Sequence, residues 1–226
     1  MKIKTHILPI AFITSLMYGC DNSDSPYALG SGSTGSGTNI VSEKGFNVAY
    51  DGDFSVITGT GIDAGVEVTV NVSTSDNAGL IVSGATVYLA VDWGTLSASS
   101  CVTDITGTCS ITWTSRVSNN TGYLPADESI TFTGWVIGEE SYSDLNASGV
   151  FDDGDVFLND TTGPFLDLDH SGDYSAGDQL LSPGNTNGIL TAADGLYNGA
   201  GCSHSTLCST TTQVYVSDRD IVSIRE

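Results

Sequence analysis

The chain has 226 residues, 6 basic and 27 acidic side chains and a formal net charge of −21, a length that suits one domain or two small ones. Its hydrophobic content of 39% is too high for a fully disordered polymer. The shortage of Lys and Arg argues against nucleic-acid binding and against docking on anionic lipid, both of which need clustered positive charge. The acidic excess is then either a self-repelling solvated surface or a sink for cations.

Residues 1–19 read as an export signal. Lys2 and Lys4 precede a short apolar run, Ile7 to Met17, too short for an ordinary spanning helix. It ends at Tyr18-Gly19-Cys20, which resembles the lipobox of bacterial lipoproteins, although the family prefers Leu where Met17 stands. The alternative is an ordinary cleaved signal with an incidental Cys20. The resemblance implies lipidation of Cys20 and anchoring in the bacterial cell envelope, at the outer membrane or cell surface or on the periplasmic face of the inner membrane. Losing Lys2 and Lys4 takes the net charge from −21 to −23. Cys20 is also the odd one of five cysteines, and an odd cysteine in an exported chain needs an explanation. The other four form near pairs, Cys101 with Cys109 and Cys202 with Cys208, which an oxidising compartment turns into disulfides. Their gaps of seven and five residues do not suit a four-cysteine zinc site.

Residues 20–39 are rich in Ser and Gly, the composition of a flexible tether. From Phe46 the pattern has period two. Val66, Val68, Val70 and Val72 alternate with polar residues; Ala85, Val87, Leu89 and Val91 repeat the pattern, as do Ile111 and Trp113, then Ile130, Phe132, Gly134 and Val136. Val214, Val216 and the apolar residues of 221–224 close the chain. Such alternation, punctuated by Gly, Asn, Asp and Ser, predicts half-buried strands and an all-β sandwich. Trp93, Trp113 and Trp135 are expected to pack in or on the sheets; a sugar-stacking platform is the alternative.

The run from Gly79 to Val87, the Gly94-Thr95-Leu96 after that strand, the hairpin residues 103–108 and Ile111-Thr112-Trp113-Thr114-Ser115 together resemble bacterial immunoglobulin-like domains of the invasin/intimin type. The resemblance spans residues 60–136 and implies an immunoglobulin-like β-sandwich formed by 40–137 plus 213–226, in which the Cys101–Cys109 bridge staples the two strands of a hairpin.

Between Glu139 and Asp178 lie eleven of the 27 acids, and no Lys or Arg occurs from Val117 to Asp218. Residues 144–155 and 167–178, offset by 23, both read D-x-[DN]-x-S-G-x-[FY]-x-x-G-D. This resembles the EF-hand calcium loop in its dockerin-like form, which ends in Asp. The resemblance assigns Asp144, Asn146, Ser148, the Val150 carbonyl, Asp152 and Asp155 to one ion, and Asp167, Asp169, Ser171, the Asp173 carbonyl, Ser175 and Asp178 to a second. Oxygen-only ligands favour calcium. Serine at the fifth position implies weak binding, ~10⁻⁴–10⁻³ M. The segments that follow are too short for EF-hand helices, so neither helix–loop–helix units nor cohesin binding is expected. Phe151 and Tyr174 would be the hydrophobic anchors of the loops, and His170 would point into solvent. The bland alternative is a pair of Asx-rich surface turns.

Residues 138–212 then form a loop-rich calcium-binding insertion of 75 residues before the last strand, with little apolar matter of its own, folded by calcium and pinned by Cys202–Cys208. Asp194 is a further candidate ligand. No G-x-S-x-G elbow, H-E-x-x-H pair or free thiolate is present, so no catalysis is expected. The expectation is a lipid-anchored, calcium-stabilised module with a structural or adhesive role and an unidentified protein or glycan partner, possibly a second copy. A carbohydrate- or substrate-binding module is one alternative; a calcium-dependent filament subunit exchanging the strand Asn39–Thr58 is the other.

Overall fold

The computed structural model describes residues 37–52, 65–115, 129–185 and 188–223. Cys20, the signal segment, nearly all of the tether and residues 53–58 of the candidate exchange strand lie outside them. The described residues belong to one compact unit. They hold no α-helix, only a single 3-10 turn at Glu43–Gly45. No helix among them is long and apolar enough to cross a membrane.

The strands in chain order are β1 (Phe46–Asp51), β2 (Glu67–Thr74), β3 (Thr86–Val91), β4 (Thr95–Leu96), β5 (Ser100–Val102), β6 (Thr108–Thr114), β7 (Ser129–Gly138), β8 (Ser141–Ser143), β9 (Val156–Asn159), β10 (Phe165–Leu166), β11 (Gln179–Leu180) and β12 (Val214–Ser223). Two antiparallel four-stranded sheets have the orders β1-β2-β6-β4 and β12-β7-β3-β5. The chain is nearly all β, as the alternation predicts. In β2, Val68, Val70 and Val72 are buried while Glu67, Thr69, Asn71 and Ser73 are exposed, because successive side chains point to opposite faces. One apolar cluster draws on both sheets: Val48, Val68, Val70, Val72, Ile111 and Trp113 from the first, Val87, Leu89, Ile130, Phe132, Val136, Val216 and Val222 from the second. Trp113 packs edge-on against Phe132, with ring centroids 6.0 Å apart. Its indole N–H donates to the Trp93 carbonyl at 2.8 Å. Gly94, with φ +87°, leaves room for that ring: a Cβ there would stand 2.1 Å from the indole nitrogen, so only glycine suits the position.

Both disulfides form as paired in the sequence, Cys101–Cys109 and Cys202–Cys208. The first differs from expectation in its role. Cys101 lies on β5, which pairs with β3, whereas Cys109 lies on β6, which pairs with β2 and β4. The bridge therefore ties one sheet to the other across the tight turn 103–107 instead of stapling two paired strands. Asp104 builds that turn, accepting from the Thr106 N–H at 2.8 Å and the Thr106 hydroxyl at 2.6 Å.

β7 departs from the period-two expectation in a way that positions the insertion. Ile130, Phe132 and Val136 face the core, yet Thr131, Thr133 and Trp135 on the opposite face are also buried. The insertion covers that face. Trp135 packs with Leu166 and Leu181, and with Tyr88, Ala90 and Tyr215. A second cluster inside the insertion joins Tyr142, Phe151 and Tyr197 with Phe157, Cys202 and Leu207. The insertion thus has more apolar matter of its own than its composition suggests, contributed by aromatic rings scattered between Asp-rich turns.

Candidate metal centre

Each acidic loop sits between two short antiparallel strands. β8 and β9 flank residues 144–155, and β10 and β11 flank 167–178. No helix brackets either loop, in keeping with the short segments that follow them.

The two loops share one hydrogen-bonded skeleton. In the first, Asp144 accepts from the N–H groups of Ser148 at 3.0 Å and Gly149 at 2.8 Å. In the second, Asp167 accepts from those of Ser171 at 3.1 Å and Gly172 at 2.8 Å. The closing carboxylates match as well: Asp155 accepts from Leu145 and Asp152, and Asp178 accepts from Leu168 and Ser175. The hydroxyls of Ser148 and Ser171 donate to the carbonyls of Val150 and Asp173 at 3.0 and 2.9 Å. The backbones agree too. Ala147 and His170 have φ of 58° and 54°, and the following glycines, Gly149 and Gly172, have 78° and 87°. Left-handed values at the fourth and sixth positions wind each chain so that side chains of the first, third and twelfth positions converge; a surface turn with one Asx bond does not require this.

Carboxylate oxygens of Asp167, Asp169 and Asp178 lie within 4.8 Å of one another. In the first loop the third position is Asn146, whose amide donates to Asp152 at 2.9 Å; the corresponding contact in the second loop is the Ser175 hydroxyl on Asp169 at 2.8 Å. Each loop therefore gathers oxygen donors with no nitrogen or sulfur ligand, a set that fits a hard cation such as calcium. The hydrogen bonds from Ser171 and Ser175 hold the Asp169 carboxyl down to about 2, and Asn146 does the same in direction for Asp152.

The hydrophobic anchors differ. Phe151 is fully buried, 4.8 Å from the Tyr197 ring. Tyr174 is 41% exposed and rests edge-on against Phe165. His170 does not face solvent: its Nε2 lies 2.8 Å from Asp92 of the sheet unit, with the side chain 10% exposed. Nor is the acidic segment without a counter-charge. Arg219 on β12 stacks its guanidinium over Phe165 at 3.9 Å and places Nη1 3.7 Å from Asp167. Asp194 is used for turn formation, accepting from Leu196 at 2.9 Å and from the Asn198 amide at 3.2 Å.

Two acids that sequence reasoning left among the surface charges are fully buried at the base of the insertion. Glu139 accepts from the Thr38 hydroxyl at 2.8 Å, the Asn77 amide at 3.1 Å and the Ala200 N–H at 3.1 Å. Glu140 accepts from the N–H groups of Asn198 at 2.7 Å and Thr161 at 2.8 Å. Burial pushes both carboxyls above the ordinary range, against the pull of these donors. They tie residues 161 and 198–200 to the end of β7, while Asn77 bridges Glu139 and the Glu140 carbonyl from the β2–β3 connection. The available signal was position: two acids directly following an apolar strand.

Comparison with protein-family models, with curated proteins and with solved structures finds no match for the chain. The site must be argued from its own geometry.

Proposed function

We propose that the protein is a lipid-anchored, calcium-stabilised immunoglobulin-like module of the bacterial cell envelope, with a structural or adhesive role. The observation that carries the calcium reading is the shared skeleton of residues 144–155 and 167–178: the same acceptors on the same backbone donors, with the same left-handed positions. Asp144, Asn146, Ser148, the Val150 carbonyl, Asp152 and Asp155 hold one ion in this reading, and Asp167, Asp169, Ser171, the Asp173 carbonyl, Ser175 and Asp178 hold the other. Calcium would supply the charge neutralisation that the eleven acids of this segment need.

The immunoglobulin-like reading is supported by strand order. β1-β2-β6-β4 and the β12-β7-β3 part of the second sheet correspond to the A-B-E-D and G-F-C orders of that fold, with β5 an added edge strand beside β3. The lipid anchor rests on the sequence: a positively charged start, a short apolar run into Gly19-Cys20, and Cys20 as the odd one of five cysteines. For the alternatives, Trp113 and Trp135 are buried and offer no stacking face to sugar, and β1 is paired along its length with β2 in its own chain.

Calorimetric titration of the chain with calcium is the test, with two binding events expected in the ~10⁻⁴–10⁻³ M range. Asp144→Asn and Asp167→Asn should each remove one. The absence of calcium heat at millimolar concentration would return the acids to a solvated surface. For the anchor, Cys20→Ser should release the protein from the membrane fraction; retention there would refute lipidation.

A further inference from the structure

The two loops are alike in skeleton but not in electrostatic setting. Asp167 is fully buried beside Arg219, a strand arginine that reaches the insertion. Arg219 comes from β12, where it pairs with Thr133 of β7. Its Nη2 donates to the Gly172 carbonyl at 3.2 Å, and its Nη1, buried and without a hydrogen-bond partner among the described residues, points at Asp167 Oδ2 from 3.7 Å. Asp144, the matching residue of the first loop, is half-buried and has no ion-pair partner among the described residues. Lys44, whose ammonium donates to the Tyr142 carbonyl at 2.6 Å, acts on Asp144 through its charge without forming an ion pair. His204 stacks on Phe151 of that loop with ring centroids 5.0 Å apart and stands 3.5 Å from Asp153, which lies outside the ligand set.

We propose that Arg219 is a resident counter-charge of the second loop that weakens calcium binding by residues 167–178. This rests on the calcium reading above. Two effects compete. The guanidinium could help by holding Asp167 in place, or hinder by repelling an incoming divalent ion. Repulsion wins because the ligand carboxylates do not depend on Arg219 for their positions, although its Nη2 also bonds the loop backbone at Gly172. Asp167 is already fixed by the Ser171 and Gly172 N–H groups, Asp178 by those of Leu168 and Ser175, and Ser171 by the Asp173 carbonyl. What remains is a positive charge a few ångströms beyond a ligand carboxylate, whose effect on a divalent ion is on the order of tenfold in affinity even in a water-like dielectric. In the calcium-free protein the same charge offsets part of the repulsion among Asp167, Asp169 and Asp178.

The experiment is calcium titration of the intact chain in an Asp144→Asn background, which leaves the second loop alone to report. Adding Arg219→Met, which keeps the stem on Phe165 and removes the charge, should tighten the remaining site ~tenfold. Arg219→Lys, which keeps the charge, should leave it within about twofold. The Met effect should shrink in high salt, as a charge effect does and a packing effect does not. Should Arg219→Met destabilise the sheet, Arg219→Gln carries the same prediction. An unchanged or weaker second site in the neutral variants overturns the inference while leaving the calcium reading intact. Absence of calcium binding in wild type and variants alike removes both.

Discussion

The sheet unit and the insertion solve the same problem, fixing a chain against its conformational entropy, by opposite means. The sheets bury valines, two isoleucines and Trp113 in one cluster shared by two layers. The insertion has two small aromatic groups and otherwise relies on carboxylates that accept from backbone N–H groups: Asp144, Asp155, Asp167, Asp178, Glu139 and Glu140. Apolar burial needs nothing from solvent. A carboxylate framework accumulates like charge, and is stable at neutral pH only when cations or many donors offset it. The lesson is that one chain can hold a self-sufficient region and a conditional one on opposite faces of a single strand, β7.

The largest effect that separates the two regions is in the shared core. Trp113→Ala should cost about 3–5 kcal/mol and lower the melting temperature by the same amount with and without calcium; a calcium-dependent loss would mean that the core is not independent of the insertion. Chelation comes next. Each site that is filled at 100 times its dissociation constant contributes ~2.7 kcal/mol, so a chelator should lower the midpoint of a probe in the insertion while a probe of the β2–β6 pairing barely moves. Coincident shifts of both probes would merge the regions into one cooperative unit. Replacing Cys202 and Cys208 together with Ser should cost ~2 kcal/mol, from the short loop they close, and should raise protease cleavage near Phe151, whose carbonyl accepts the Ser203 N–H. Cleavage in the sheets instead would misplace the bridge's role.

The smallest effect is with pH, and two groups of acids pull in opposite directions. Glu139 and Glu140 have folded values raised by burial. Their charged forms therefore penalise the fold at neutral pH, and that penalty is relieved as pH falls through the raised values toward the ordinary glutamate range. Asp152 and Asp169 are lowered; their stabilising contribution is present above the ordinary aspartate value and is lost as pH falls toward about 2, the value Asp169 reaches. Calcium-free stability should therefore rise slightly from neutral pH to mildly acidic pH and fall steeply below. Glu140→Gln should flatten the first slope only. Urea unfolding across pH measures both limbs, and a monotonic fall from neutral pH would contradict the assignment.

Much of the sheet unit is legible in the sequence because its information is local. Period-two alternation in Val66–Val72 and Ile130–Val136 names the inward faces, and near pairing of cysteines gives both bridges. The two loops are legible as well, since Asp, Ser and Gly at fixed offsets determine a backbone path through short-range bonds. What is hidden depends on contacts far apart in sequence. Nothing near His170 announces Asp92, 78 positions away. Nothing in 167–178 announces Arg219, although a lone arginine between Asp218 and Asp220 in a strand was a signal that it had somewhere to go. The outer face of β7 alternates with polar Thr131 and Thr133, yet both are buried, and beside them Leu166 and Leu181 of the insertion pack on Trp135. The cross-sheet role of Cys101–Cys109 is hidden for a related reason: the turn residues 103–107 suit a hairpin, while sheet membership is decided by pairing with β3 and β2.

The central claim is that the insertion, and not the sheet unit, is held folded by calcium. Hydrogen exchange read by mass spectrometry on the intact chain, with millimolar calcium and with chelator, tests it most directly. Amides of residues 144–155 and 167–178, and of β8 to β11 around them, should lose protection in chelator, while those of β2, β6 and β7 keep theirs. Equal protection of the two loops with and without calcium would contradict the account.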